Sequence, residues 1–231
     1  MNLFYQPGIP QGITYLDAEE SRHAIRVLRM SEGDPLTLTD GSGFFYTAQI
    51  AIADSKKCEF NILEKREVKK RDFSIHIAIA PTKNADRMEW FVEKAVEIGV
   101  EEISFILCEN SERKTVNMDR IWKIAVSALK QSQQAWLPKI NEVVPLHGIF
   151  NSPADQKFIA HVDSTNPKQL RSAVLAAKKY LILIGPEGDF SPEELATAIQ
   201  HGFVKVSLGT HRLRTETAGL VAVQVLGLTN T

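Results

Sequence analysis

The sequence predicts a two-part α/β protein, with a small β-rich unit over residues 1–71 and a parallel-sheet unit over residues 72–231. Three observations carry this. Apolar residues recur with a period close to two through the first part, and strand–helix alternation takes over after it. The change coincides with a charged run, EKREVKKR, at residues 64–71. Finally, residues 181–221, LILIGPEGDFSPEELATAIQHGFVKVSLGTHRLRTETAGLV, end two apolar strands in glycine turns. Open α/β sheets build small-molecule sites in this way, at the carboxyl ends of their strands.

In the first unit, helical character is confined to residues 17–28. Short strands follow around Leu36 and Leu38, then at 43–53 and 56–64, separated by turn residues. Such a series predicts a small β-barrel or sandwich. In the second unit, residues 73–80 form a strand. Residues 86–98 place Met88, Phe91, Val92, Ala95 and Val96 on one helical stripe, closed by Gly99. Further strands are expected at 103–107, 157–162, 180–184 and 204–208, with helices between them and one more after Arg214. The helix after the first glycine turn has Ser191 as N-cap, Pro192 at its first position and Glu194 completing an S-x-x-E box, with Gly202 as its stop. Five β–α units on one parallel sheet account for this order. Elementary topology predicts that the sheet is not knotted.

The chain has 231 residues, 44% of them hydrophobic, enough for one large core or two modest ones. Cys58 and Cys108 lie far apart with no C-x-x-C, which argues against a disulfide framework and fits a reducing cytosol. The start, MNLFYQPG, lacks the pattern of a signal peptide, and no apolar stretch is long enough to span a bilayer. The six histidines are scattered without metal-ligand spacing, and no G-x-S-x-G elbow appears, so neither a metal centre nor a serine hydrolase is expected. The net charge of −1 is that of a chain that binds nucleic acid only through a local basic patch.

Gly185, Gly188 and Gly209 are each explicable as ordinary turns. Three at neighbouring strand ends, with the 214–218 turn beside them, predict a ligand pocket. Phosphate is a poor candidate, since no Lys-Ser/Thr pair follows the glycines. Capping of the last helix accounts for Thr215 as N-cap and for Glu216 near the positive helix end. It does not account for Arg214, because a cation is disfavoured there. His23, Arg26 and Arg29 recur at helical spacing and serve equally as a solvated face or as phosphate contacts. Lys83, Arg87 and Glu93 follow the first strand of the second unit and read as helix-surface ion pairs, with Lys83 and Arg87 also candidate RNA ligands. Asp163, just past a strand end, either lines the pocket floor or caps a turn.

The wording of these motifs goes further. GPEGDFSPEE followed by LGTHRLRTETA closely resembles the RsmE family of small-subunit ribosomal RNA methyltransferases, members of the knotted SPOUT superfamily of S-adenosylmethionine (SAM) enzymes. HAIRVLRMSEGD at 23–34, KNADRMEWFVEKAVEIGVEEI at 83–103 and Ser111-Glu112-Arg113 match further family blocks in the same order. Asp189 stands where the family's first turn has a second glycine. Lys130 and Gln134 replace a family Glu and Arg, so no role is expected here of that charged pair.

The resemblance implies a PUA-like RNA-binding barrel over 1–71 and a SPOUT methyltransferase domain with a C-terminal trefoil knot over 72–231. It implies SAM held by Leu183, Ile184, Gly185, Glu187, Gly188, Leu208, Gly209, Leu213, Arg214, Thr217 and Ala218, with the three leucines as apolar walls for the adenine. Arg214 and Glu216 become the catalytic candidates, and His23, Arg26, Arg29, Lys83 and Arg87 the RNA contacts. The implied reaction is methylation of a uridine N3 in 16S rRNA by a cytoplasmic homodimer with no metal and no membrane. Two rivals are a methyltransferase for another RNA base and a non-catalytic ribosome-assembly factor that retains the fold.

Overall fold

The computed structural model describes residues 2–161, 168–176 and 178–230. The chain separates into two compact units, Met1–Lys70 with Val126–Leu137, and Arg71–Ala125 with Pro138–Thr231.

The first unit is a four-stranded sheet in the order β1-β2-β3-β4, formed by β1 (Leu3–Tyr5), β2 (Pro35–Thr39), β3 (Phe44–Ile52) and β4 (Glu59–Glu67). β1 runs parallel to β2, and the other pairs are antiparallel. The period of two is explicit in the packing: Leu36 and Leu38, then Tyr46, Ala48 and Ile50, turn inward onto Phe4, Leu16 and Phe60. The edges of the sheet approach each other through a short stretch of chain. Backbone bonds join Thr14 and Leu16 to Phe60 and Cys58 at the start of β4, while the Gln6 side chain, just after β1, donates to the Tyr15 carbonyl. That contact curls the sheet towards a barrel.

The β2–β3 turn is held by Asp40. Its carboxylate accepts the backbone N–H groups of Ser42 and Phe44 and the Tyr46 hydroxyl at 3.0 Å. Burial and this carboxylate push the Tyr46 hydroxyl pKa up to about 12. Gly43 (φ 105°) lies so close to Trp136 that a Cβ would sit 2.3 Å from the indole. The segment 126–137 therefore packs as part of this unit. Lys130 forms an ion pair with the largely buried Glu20, which gives the unexpected lysine a partner, and Gln134 donates to Ser132.

Helical character at 17–28 resolves into α1 (Ala18–Arg22), capped by the Asp17 side chain, and one wider π turn at His23–Val27. Arg29 follows in a left-handed conformation (φ 57°), so the spacing of His23, Arg26 and Arg29 does not describe a single helix face. All three side chains are exposed.

The second unit is a six-stranded parallel sheet in the order β10-β8-β9-β5-β6-β7, built from β5 (Ser74–Ile79), β6 (Glu102–Leu107), β7 (Lys139–Pro145), β8 (Gln156–Ala160), β9 (Lys179–Ile184) and β10 (Val204–Val206). Its helices are α2 (Ala85–Ile98), the first part of α3 (Met118–Gln131), whose remainder from Val126 belongs to the first unit, α4 (Leu170–Ala173), α5 (Pro192–Gln200) and α6 (Thr215–Leu228). The central strands β5 and β9 are nearly continuous buried runs, as expected of a parallel sheet covered on both faces. The expected five strands become six. β7 escaped because none of its residues is fully buried, which leaves no apolar run to read.

After the edge strand β10 the chain returns to the middle of the sheet, where α6 packs on α2, β5 and β9. Gly219 permits this: a Cβ there would lie 2.5 Å from the Phe91 ring. Among the described residues no helix is long and apolar enough to cross a membrane.

Candidate functional site

A cavity of about 600 Å³ opens where the chain leaves β8, β9 and β10, a size typical of small-molecule sites. Three loops build it. After β9, residues 185–189 turn tightly, with the Asp189 N–H on the Pro186 carbonyl at 2.9 Å. Asp189 takes φ 63°, a left-handed value that glycine adopts freely and aspartate tolerates better than most residues. Gly185 lies against the Phe190 ring, so a Cβ would meet it at 3.0 Å. After β10, the strand ends earlier than expected, at Val206, and Ser207, Leu208 and Gly209 (φ 151°) belong to the loop. The third stretch, 210–214, leads into α6.

Hydrogen bonds stitch the turns together. Arg212 donates to the Glu187 carbonyl at 2.9 Å, and the Thr215 hydroxyl donates to the Gly185 carbonyl at 3.0 Å. Thr215 is thus not the N-cap: it is the first helical residue, and Arg214 occupies the cap position without a capping bond from its side chain. The expected α5 capping box is present, and its Glu194 also accepts the backbone N–H of Glu109 at 2.8 Å.

Of the residues expected to hold a cofactor, Ile184, Gly185, Glu187, Leu208, Gly209, Leu213, Arg214 and Ala218 line the cavity. Leu183 is fully buried in the core, and Gly188 and Thr217 are not part of the lining. Gly188 has another use: Asn110 lies 3.0 Å from where its Cβ would be and donates to the Gly188 and Asp189 carbonyls. The structure adds Ala160, His161, Pro186, Asp189, Ser207, Thr210, His211, Arg212 and Thr215 to the lining. The loop residues among them lie inside the motifs already singled out. His161 carried no signal, since nothing local says which neighbour a strand-end histidine meets. Asp163 lies outside the described residues.

The charges of the cavity are arranged unevenly. Arg87, expected as an RNA contact, lines the cavity, and its Nε lies 3.8 Å from Glu216 Oε1. Glu216 itself is buried at the positive end of α6, where a carboxylate is favoured. Arg214 is exposed to the cavity, and its side chain has no hydrogen-bond or ion-pair partner among the described residues. Lys83 is paired instead, its ammonium with Glu112 at 2.9 Å and its backbone N–H with Glu187. Glu93 pairs with Lys94 on the surface of α2. Among the described residues no group of His, Cys, Asp or Glu is placed to hold a metal ion. An apolar wall of Ile184, Leu208 and Leu213, backbone groups accessible at glycine turns and an unpaired guanidinium suit a flat heterocycle with a polar tail.

Residues 69–227 match the family described as RNA methyltransferase domain, and residues 16–63 match the RNA methyltransferase PUA domain. The chain is 31% identical over 226 residues to the ribosomal RNA small subunit methyltransferase E of Buchnera aphidicola, covering 92% of this chain and 87% of that protein. A crystal structure described as a probable rRNA-methyltransferase from Porphyromonas gingivalis superposes with a TM-score of 0.94 at 45% identity, covering 100% and 98% of the two chains. The ribosomal RNA small subunit methyltransferase E of Neisseria gonorrhoeae, crystallised bound to SAM, superposes with a TM-score of 0.85 at 25% identity, over 100% and 98%.

Proposed function

We infer the function from the premise that this chain belongs to the ribosomal RNA small subunit methyltransferase E family, on the SPOUT architecture: it is a SAM-dependent RNA methyltransferase. We propose that it methylates N3 of one uridine in 16S rRNA within the small ribosomal subunit. The return of α6 to the centre of the sheet, with Arg212 and Thr215 bonded to the 185–189 turn, supports the trefoil knot expected of such enzymes.

The cavity fits SAM. Ile184, Leu208 and Leu213 would flank the adenine, and the backbone at Gly185 and Gly209 would meet its polar edge without side-chain obstruction. The cofactor supplies an activated methyl on a sulfonium, which leaves a neutral thioether when that carbon–sulfur bond breaks. The protein's part is to position the uracil and manage one proton. N3 becomes nucleophilic as its proton departs, and negative charge develops on the ring carbonyl oxygens. Arg214, at the cavity wall with no side-chain partner among the described residues, stabilises that charge, and this is the observation that carries the assignment. A solvent water takes the proton, with Glu216 as its acceptor behind the wall: Glu216 is buried and not part of the cavity lining, and Arg87, which does line it, lies 3.8 Å from the carboxylate.

His23, Arg26 and Arg29 are proposed as phosphate contacts of an N-terminal RNA-recognition domain, 1–71, serving a catalytic domain, 72–231. A homodimer is proposed as the working form, supported by an α6 that is apolar nearly all round yet leaves Leu228 62% exposed. Free, buried thiols at Cys58 and Cys108 support a reducing, cytoplasmic setting.

The deciding experiment supplies isotope-labelled SAM and small-subunit particles lacking the modification, then identifies the labelled nucleoside by mass spectrometry. Labelled 3-methyluridine at one site is the expected result. Label in another nucleoside overturns the N3 assignment, and absence of both label and SAM binding overturns the enzymatic reading in favour of an assembly factor.

A further inference from the structure

Asp189 and His161 meet at the cavity wall, the first in the turn after β9 and the second at the end of the neighbouring strand β8. Asp189 Oδ2 lies 3.1 Å from His161 Nδ1. The two are close enough to pair but are not aligned as a hydrogen bond, and Nδ1, shielded from solvent, has no hydrogen-bond partner among the described residues. A buried polar atom in that condition calls for an explanation.

The turn does not supply one. At φ 63° glycine is the unstrained choice. Asp189 Oδ1 accepts the Phe190 N–H at 2.8 Å, which accounts for one carboxylate oxygen. The other lies against the histidine. The Asp189 side chain remains 27% exposed at the cavity wall, so its carboxylate can accept vicinal hydroxyl groups there while the shielded ring nitrogen backs it. An acidic group near a strand's carboxyl end serves ribose in the same way in dinucleotide-binding folds.

We propose that Asp189 binds the ribose hydroxyls of the cofactor, with His161 as the positioning residue that orients its carboxylate. This rests on the reading that the cavity binds SAM. The pair adds a sugar-specific contact that backbone groups at the glycine turns do not provide.

The test is calorimetric binding of SAM, S-adenosylhomocysteine and the 2′,3′-dideoxyribose analogue of S-adenosylhomocysteine to the full chain. Wild-type protein is expected to bind S-adenosylhomocysteine about tenfold or more tightly than its dideoxy analogue, the scale of a hydrogen bond to a charged group. Asp189→Gly, which suits the left-handed backbone and keeps the fold, is expected to bring that ratio close to one by weakening the ribose ligand alone. Asp189→Asn, which retains the bond to Phe190, and His161→Gln are expected to lower the ratio without lowering Tm. A ratio unchanged in Asp189→Gly overturns the inference and leaves the cofactor reading standing. Loss of SAM affinity with S-adenosylhomocysteine affinity intact also overturns it, by assigning the carboxylate to the sulfonium charge. Failure of the wild-type protein to bind any of the three overturns the cofactor reading and this inference together.

Discussion

Arg214 holds the position least favourable to it on electrostatic grounds, the cap of a helix whose N-terminus is already positive. Replacing it with alanine is therefore expected to leave Tm unchanged or slightly raised while kcat falls by about 10²–10³-fold, the usual loss when a charge-stabilising donor is removed. Steady-state kinetics beside a thermal melt separates the two effects, and full turnover in the variant would remove Arg214 from the mechanism. Thr215 behaves oppositely. Its hydroxyl satisfies the Gly185 carbonyl, so Thr215→Val is expected to cost about 1–2 kcal/mol in denaturant unfolding. At this scale the sequence motif singled out residues that line the cavity but misjudged what Thr215 does. A threonine before an apolar run has the chemistry of a cap. Only the tertiary course of the chain brings a strand-end carbonyl within its reach.

The helices were legible in proportion to their local signals. The S-x-x-E box of α5 needs no partner outside its own first turn, and it appears as expected. α6 shows the limit of such reasoning. Its sequence is apolar almost throughout, so periodicity does not say which face packs. Gly219 supplies the answer only once Phe91 is seen beside it. Gly219→Ala gains about 1 kcal/mol in helix propensity and loses about 1–3 kcal/mol to overpacking. Net destabilisation in chemical unfolding is the expected outcome, and a stabilised variant would mean that α6 and α2 are free to separate. β7 and β1 went unread for opposite reasons, one because it is half-exposed along its length and the other because it has only three residues.

Across the whole molecule, a polar ladder on β5, β6 and β7 sets a pH response. His76 Nε2 meets Ser104 at 2.8 Å, and Asn141 and Lys139 bond to Glu102. Burial lowers the His76 pKa below 6.5, against the pull of Glu102. The folded state therefore binds fewer protons than the unfolded one, and stability is expected to fall as pH drops below about 6.5. Burial of Glu102 is outweighed by Asn141, His76 and Lys139, so its pKa is lowered, and its contribution is lost only below about 4.5. Denaturation midpoints between pH 5 and 7 read this slope, and His76→Gln is expected to flatten it. Binding of RNA by a chain with net charge −1 requires local cations. Replacing Arg26 and Arg29 with alanine is expected to reduce the salt slope of RNA affinity by about one for each phosphate no longer neutralised. An unchanged slope would assign the phosphates to other residues.

Local chemistry in the sequence was enough to determine the two-part α/β organisation, the glycine turns at strand ends, the capping box of α5 and the family. Each of these depends on residues near one another in the chain. Tertiary structure alone decided that segment 126–137 packs with the first unit, that Lys130 neutralises Glu20, that Leu183 lies in the core and not at the cavity, and that Asp189 meets His161. These are contacts between residues far apart in sequence. No periodicity or propensity encodes them, because they exist only where separate strands and loops end at the same place.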